Sequence, residues 1–276
     1  MKGGGVDGAR ILRRTCKAVK CAAQHLRPHD AAAAHEVRKE LKRARAGLRL
    51  LRPALQAGDY RSANRALRDS ARPLMRLRDA QMLLDTLDDL IVRADVATAQ
   101  ALRAARPALQ LRLARSQADV DAARVIAVSK RLRRCRRRLR RLALSPRGPA
   151  LRQALRRLYG RGRHAFGAAR RTADAPTLHE WRKQVKYLAN ALVLLQPREC
   201  GSCRRARRLA HVLGQDHDIA VLFTTLRRMK GQLPAEAMDR LAALCERRRR
   251  VLEARIMGAA KELFARKPRC FARSIL

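Results

Sequence analysis

The stretch HEVRKELKRARAGLRLLRP, residues 35–53, returns as HEWRKQVKYLANALVLLQP at residues 179–197. Nine of the nineteen positions are identical with no gap: the His, Glu, Arg and Lys of HExRK, a second Lys, three Leu and the closing Pro. The shift is 144 residues in a chain of 276, about half its length, so the simplest organisation is two related halves.

Each copy reads as an amphipathic helix. At about 100° per residue, Val37, Leu41, Ala44, Leu48, Leu51 and Leu55 share one side, and His35, Arg38, Lys39, Lys42, Arg45 and Arg49 share the other. In the second copy Trp181, Val185, Leu188, Leu192 and Leu195 form the apolar side. His179, Arg182, Lys183 and Lys186 form the basic one, which gives way to Ala189, Asn190 and Val193. Thr177 and Glu180 have the spacing of a capping box. A row of like charges on one helix face costs a few tenths of a kcal/mol per pair. Its repetition, each time starting from a His, points to a polyanionic partner that offsets the repulsion rather than to a merely solvated face.

Composition narrows the class. Hydrophobic residues make up 47% of the chain and aromatics 3%, with few β-branched residues, which favours an all-α protein packed through Leu and Ala. The formal net charge is +42, from 65 Lys and Arg against 23 Asp and Glu. Self-repulsion of that size weakens a compact state unless anions bind. The partners it suggests are nucleic acid, another polyphosphate-type polymer or an anionic surface. Seven Cys at irregular spacing include one C-x-x-C, Cys200 and Cys203. No second pair completes a zinc tetrad, so the pattern assigns no metal, no cofactor and no redox role. No apolar run follows the N-terminus or approaches the roughly 18 residues that span a bilayer. The expected compartment is the cytoplasm, with reduced thiols.

Residues 1–8 are Gly-rich and read as a disordered N-terminus. Residues 9–145 form the first helical half and 146–268 the second, with 269–276 as an irregular tail. Helical segments are expected over 9–26, 31–55 and from Asp59, a candidate N-cap, to about 93 with a break near Pro73. Residues 95–142 favour helix throughout, with Pro107 as the breaker. Eight Arg in eleven residues at 131–141 read as a solvated or anion-facing surface and not as a specific site. Residues 145–149 break the chain. The helix that follows carries RLYGRGRHAF, whose two Gly are expected to loosen it. Two further helices cover 202–231 and the stretch from Pro234 to about 266. The total is about four helical segments per half.

A second correspondence lies about forty residues after each His. RLRDAQML in 76–83 aligns with QDHDIAVL in 215–222, pairing Asp79 with Asp218 and setting Arg78 opposite His217. Each half thus presents a basic-Asp dipeptide on another helix. Such an Asp can orient a signature His or Arg by a charge-assisted hydrogen bond.

Taken together, HEVRKELKRAR, HEWRKQVKYLANAL, RLRDAQML and LGQDHDIAVL resemble the CHAD domain, an all-helical family named for its histidines. The resemblance runs from about residue 10 to 268. It implies two four-helix bundles related by a pseudo-two-fold, with basic faces lining a central groove or channel. It also implies binding of inorganic polyphosphate without catalysis, at His35, Arg38, Lys42, Arg45, His179, Arg182 and Lys186. Lys39, Lys183 and Arg49 extend this set by helical position, with Arg78, Asp79, His217 and Asp218 in support. The family's second copy usually reads K-x-L-R-Y. Here Ala189 and Asn190 replace the Arg and Tyr, so the second half is expected to grip less strongly.

Polyphosphate needs a long cationic track and no base-reading groups. Arg and Lys spaced three or four apart on a helix, about 5–6 Å between neighbours, provide one. The alternative is a non-specific nucleic-acid-binding protein. It is disfavoured by one Trp, three Tyr and four Phe, too few for base-stacking platforms, and by the lack of any helix-turn-helix, zinc-finger or RNA-recognition signature. Weak, sequence-independent binding of nucleic acid is the expectation. Phosphoryl transfer requires a metal-binding carboxylate cluster or a P-loop, for which only Asp85, Asp88 and Asp89 qualify by spacing, so no enzyme activity is expected. A role at polyphosphate or storage granules fits the first reading.

Overall fold

The computed structural model describes residues 7–142, 148–172, 174–196, 200–229 and 233–276, and these are helical almost throughout. In chain order the helices are α1 (Gly8–His25), α2 (Ala31–Leu51), α3 (Ala57–Ala71), α4 (Met75–Ile91), α5 (Val96–Ala118) and α6 (Ala122–Arg140). They continue with α7 (Gly148–Thr172), α8 (Ala175–Leu195), α9 (Gly201–Arg228), α10 (Ala235–Phe264) and α11 (Pro268–Ile275). Aspartates start many of them: Asp7, Asp30, Asp95, Asp121 and Asp174 each accept a hydrogen bond from a first-turn N–H.

Two rings of four helices follow from the packing. α1, α2, α3 and α6 enclose one, and α7, α8, α9 and α10 the other. The α4–α5 hairpin leaves the first ring and packs against α9 and α10 of the second. Where the rings meet, α2 lies on α8, α8 on α9, α9 on α4 and α4 on α2, so the two signature helices and the two Asp-bearing helices surround a common centre. The signature helices meet closely at Gly47, where any Cβ would collide with Thr15 Oγ1 of α1 and lie 3.3 Å from Leu194 Cδ1 of α8. One hydrophobic core runs through both halves, from Ile11 and Leu41 to Trp181, Leu192 and Phe264.

Several sequence expectations change. Residues 269–276 are not an irregular tail: α11 forms there, starting with Pro268 in its first turn, and buries Phe271 against Tyr159 with ring centroids 3.9 Å apart. The Tyr159 hydroxyl donates to the Leu263 and Arg266 carbonyls, fixing the end of α10 on α7. Asp59 does not cap; it sits in the first turn of α3, behind Gln56. The capping box is absent, because Asp174 takes the Thr177 N–H and Glu180 accepts from Lys183 and Gln184. Pro107 does not break α5, which ends instead at Asp119, two residues before Asp121 caps α6. The glycines of α7 leave it continuous; Gly162 lets the Phe264 ring approach to where a Cβ would stand 3.0 Å away. Asp7 and Gly8, expected in the disordered N-terminus, cap and begin α1; the break expected at 145–149 has given way to α7 by Gly148, and residues 1–6 and 143–147 lie outside the described residues.

Candidate functional site

The basic faces of α2 and α8 converge on the shared centre. Lys42 is crowded by Arg38 from its own helix, Arg78 from α4 and Arg182 from α8. Lys186 is crowded by Arg182, Lys42 and Arg78. Five cations therefore meet here against two carboxylates, Asp79 and Asp218. Asp218 of α9 faces Arg182 with Nη2 to Oδ1 at 3.9 Å. Arg38 donates from Nη1 to the Ala71 carbonyl at the end of α3, at 3.3 Å, and has Asp79 nearby. The Nε of Arg38 and the Nε of Arg182, which occupy equivalent places in the repeat, are both buried without an acceptor among the described residues. An unmet buried donor is costly, about 1–3 kcal/mol.

The crowding moves proton affinities. Loss of bulk water, then the neighbouring arginines, brings Lys186 down to about 7 and Lys42 down to about 8. Lys42 nonetheless keeps an exposed side chain, so the cleft where the four helices meet is open to solvent there. Burial, then Arg182, His179 and Lys186, lowers His217 to about 4, so its ring is neutral at pH 7. Burial and Arg78 also lower His35. Asp218 is pushed up by burial, an effect that Arg182 opposes. The rings of His179 and His217 lie 5.8 Å apart, and both signature histidines, His35 and His179, are exposed at the rim.

Other residues of the stripes are elsewhere. Lys39 and Lys183 are exposed and pair with Glu36 and Glu180 one turn earlier. Arg45 donates to Asn64 of α3 at 3.1 Å. Arg49 crosses to α8 and lies 3.7 Å over the centroid of the Tyr187 ring. Tyr187, which sequence reasoning passed over, thus ties the two signature helices; its signal was an aromatic standing at Arg43's place in the repeat. Asp85, Asp88 and Asp89 are engaged on α4 and α5: Asp85 accepts from Gln81, and Asp88 and Asp89 pair with Arg106 and Arg93. Cys200 caps α9 through its sulfur, which accepts from the Cys203 N–H at 3.2 Å. Among the described residues no group of three His, Cys, Asp or Glu converges as metal ligands do.

Helical halves that bring arginines and lysines from separate elements onto one cleft define an all-α protein with a cationic centre. The chain belongs to the CHAD domain family, whose model matches residues 10–227. Two solved structures share the fold. PptA from Streptomyces chartreusis is 16% identical with a TM-score of 0.72, the match covering 94% of this chain and 99% of that one. The CHAD domain from the plant Ricinus communis is 19% identical with a TM-score of 0.64, covering 91% and 89%. No curated protein matches the sequence.

Proposed function

We propose that the protein binds inorganic polyphosphate, without turning it over, in the cleft between α2, α4, α8 and α9. The observation that carries this reading is the pair of buried, acceptor-free Nε groups on Arg38 and Arg182, set among three further cations. Phosphate oxygens supply what is missing there: acceptors for the arginine forks and negative charge for the lysines. His35 and His179 at the rim offer hydrogen bonds to a chain that enters or leaves. Family membership supports the same ligand, since some CHAD domains bind polyphosphate. The carboxylates that phosphoryl transfer would recruit to a metal are held by Arg93, Arg106 and Gln81, which supports binding rather than catalysis.

Nucleic acid fits less well. All eight Trp, Tyr and Phe side chains are buried or half-buried, and Tyr60 and Tyr187 lie beneath Arg52 and Arg49, so none offers an open platform for a base. No described helix is long and apolar enough to cross a membrane. The proposed setting is the cytoplasm, including polyphosphate or storage granules. Competition at about 0.15 M salt tests the function: labelled long-chain polyphosphate against DNA, RNA and pyrophosphate. Polyphosphate is expected to hold its place; displacement by RNA or duplex DNA at equal phosphate concentration overturns the reading. Bound polyphosphate should also raise the unfolding temperature in proportion to log ligand concentration.

A further inference from the structure

The arginine run of residues 131–141 lies outside the cleft and is not spread evenly over the surface. Lys130, Arg131, Arg134, Arg137, Arg138 and Arg141 fall within an arc of about 120° on α6, along roughly 16 Å of helix. They form one wall of a groove of about 1070 Å³ whose other wall is α3, with Ser62, Ala63 and Ala66. Two of the cations reach across: Arg131 donates to the Asp69 carbonyl at 3.1 Å and Arg138 to the Ser62 hydroxyl at 3.2 Å. No carboxylate among the described residues forms an ion pair with any of the six, and Asp59 is the one acid in the groove lining. The remaining lining is mostly small and apolar, including Ala63, Ala66, Ala127, Cys135 and Leu139.

α3 packs both on α2, which carries the cleft residues Arg38 and Lys42, and on α6, which carries the arginine run. The carboxyl end of α3 is held by Arg38 of the cleft, at the Ala71 carbonyl, and by Arg131 of the groove, at the Asp69 carbonyl. Cations of the two sites thus reach the same end of α3. We propose that the α3–α6 groove is a second binding site for the same polyphosphate chain, so that a long chain engages cleft and groove together while a short one occupies the cleft alone. This inference rests on the function proposed above.

Charge and shape favour this occupant. A concave trough between two helices admits a thin linear polyanion. A duplex, about 20 Å across by general geometry, meets convex elements that enter its grooves. A single nucleic-acid strand requires stacking surfaces, and no aromatic side chain lines the trough. Two linked contacts on one ligand raise its apparent affinity by 10²–10⁴ where the span fits, with no new chemistry.

The test compares long-chain polyphosphate with tripolyphosphate on the full chain. In the groove variant Arg134→Ala, Arg137→Ala and Arg141→Ala are combined; all three residues are exposed, so the fold is preserved. A control of equal charge change combines Arg103→Ala, Arg112→Ala and Arg115→Ala at exposed positions of α5. The groove variant is expected to lose about tenfold or more in long-chain affinity, and to lower the salt slope by about 2. Its tripolyphosphate affinity should match that of the parent and of the control. Arg38→Ala with Lys42→Ala should abolish tripolyphosphate binding and leave weak long-chain binding that the groove substitutions then remove. Equal long-chain losses in groove variant and control reduce the run to diffuse charge and overturn the proposal. A groove variant that loses RNA binding and keeps polyphosphate overturns it in favour of nucleic acid. Tripolyphosphate binding that survives loss of the cleft but not of the groove sinks the cleft assignment and leaves the groove standing.

Discussion

α2 and α8 carry the same His, Glu, Arg and Lys in the same register, yet the two copies sit in different electrical surroundings. On α2, Lys42 reaches solvent, Arg38 is tied to a backbone carbonyl, and the basic stripe continues through Arg45 and Arg49. On α8, Arg182 faces a buried carboxylate and Lys186 is the more strongly depressed lysine. The stripe stops there, because Ala189 is buried and Asn190 bonds back to the Lys186 carbonyl. The first copy is an open, cation-rich arm. The second is a closed arm that already holds an anion of its own and borrows Arg49 from across the interface. Identical motif residues thus divide into open and self-satisfied sets according to what the neighbouring helix presents.

The largest expected effect comes from removing one arm at a time. Arg38→Ala with Lys42→Ala should weaken polyphosphate binding about a hundredfold, two charge-assisted contacts of about 1.5 kcal/mol each. Arg182→Ala with Lys186→Ala should cost about tenfold, because Asp218 already neutralises part of the Arg182 charge and leaves less of it for the ligand. Titrations of both variants decide the order, and a larger loss from the α8 pair reverses the assignment of arms.

Next in size is the pH response. A lysine with a folded value near 7, against an ordinary 10.5, is increasingly neutral above pH 7 in the free protein. The polyanion favours its charged form, so binding takes up a proton and affinity falls as pH rises past 7, then further past 8 as Lys42 follows. Each group contributes up to tenfold per pH unit. The free protein should do the opposite. The unfolded chain binds more protons between the folded value and 10.5, so stability rises with pH across that window and the strain of the charged lysine is fully present below 7. Lys186→Arg should remove the limb that begins at pH 7 from both curves, measured by calorimetry in buffers of different ionisation heat and by thermal unfolding. An unchanged affinity profile in that variant removes Lys186 from the site.

The smallest contrast separates the aspartates. Asp79→Asn and Asp218→Asn should each raise polyphosphate affinity about threefold by deleting a negative charge from the cleft. Only Asp218→Asn should also raise the unfolding temperature at pH 7, because burial disfavours the Asp218 carboxylate by more than Arg182 favours it. Equal unfolding temperatures in the two variants erase the distinction between an open and a closed arm.

Much of this was legible in the chain. The apolar side of the repeat became the buried side of α2 and α8, because a period of 3.6 fixes which residues share a face. The basic-Asp dipeptides did arrive at the cleft, on α4 and α9. What a helical wheel lacks is the neighbour. It placed Lys39, Arg45 and Arg49 in one stripe with Arg38 and Lys42, whereas Glu36, Asn64 and Tyr187 draw them in three directions. The same gap hid the groove. The run at 131–141 is uniform as a string, and only α3 lying beside α6 turns one edge of it into a trough. For α11 the signal was present and weak: a proline in the first turn and Phe271 four residues before Ile275, too short a segment to be helical without the Tyr159 ring to pack on.

The Arg14 guanidinium of α1 donates to the Leu194 carbonyl of α8, across 180 residues, and α2 completes its cleft against the same late helix. During synthesis at 5–20 residues per second, the basic face of α2 therefore leaves the ribosome roughly 7–30 s before its partner exists. For that interval the nascent chain carries an unsheltered cationic strip beside a machine made largely of RNA. The order of manufacture, and not only the finished fold, thus sets how long the charge of α2 stands without the helix that later faces it.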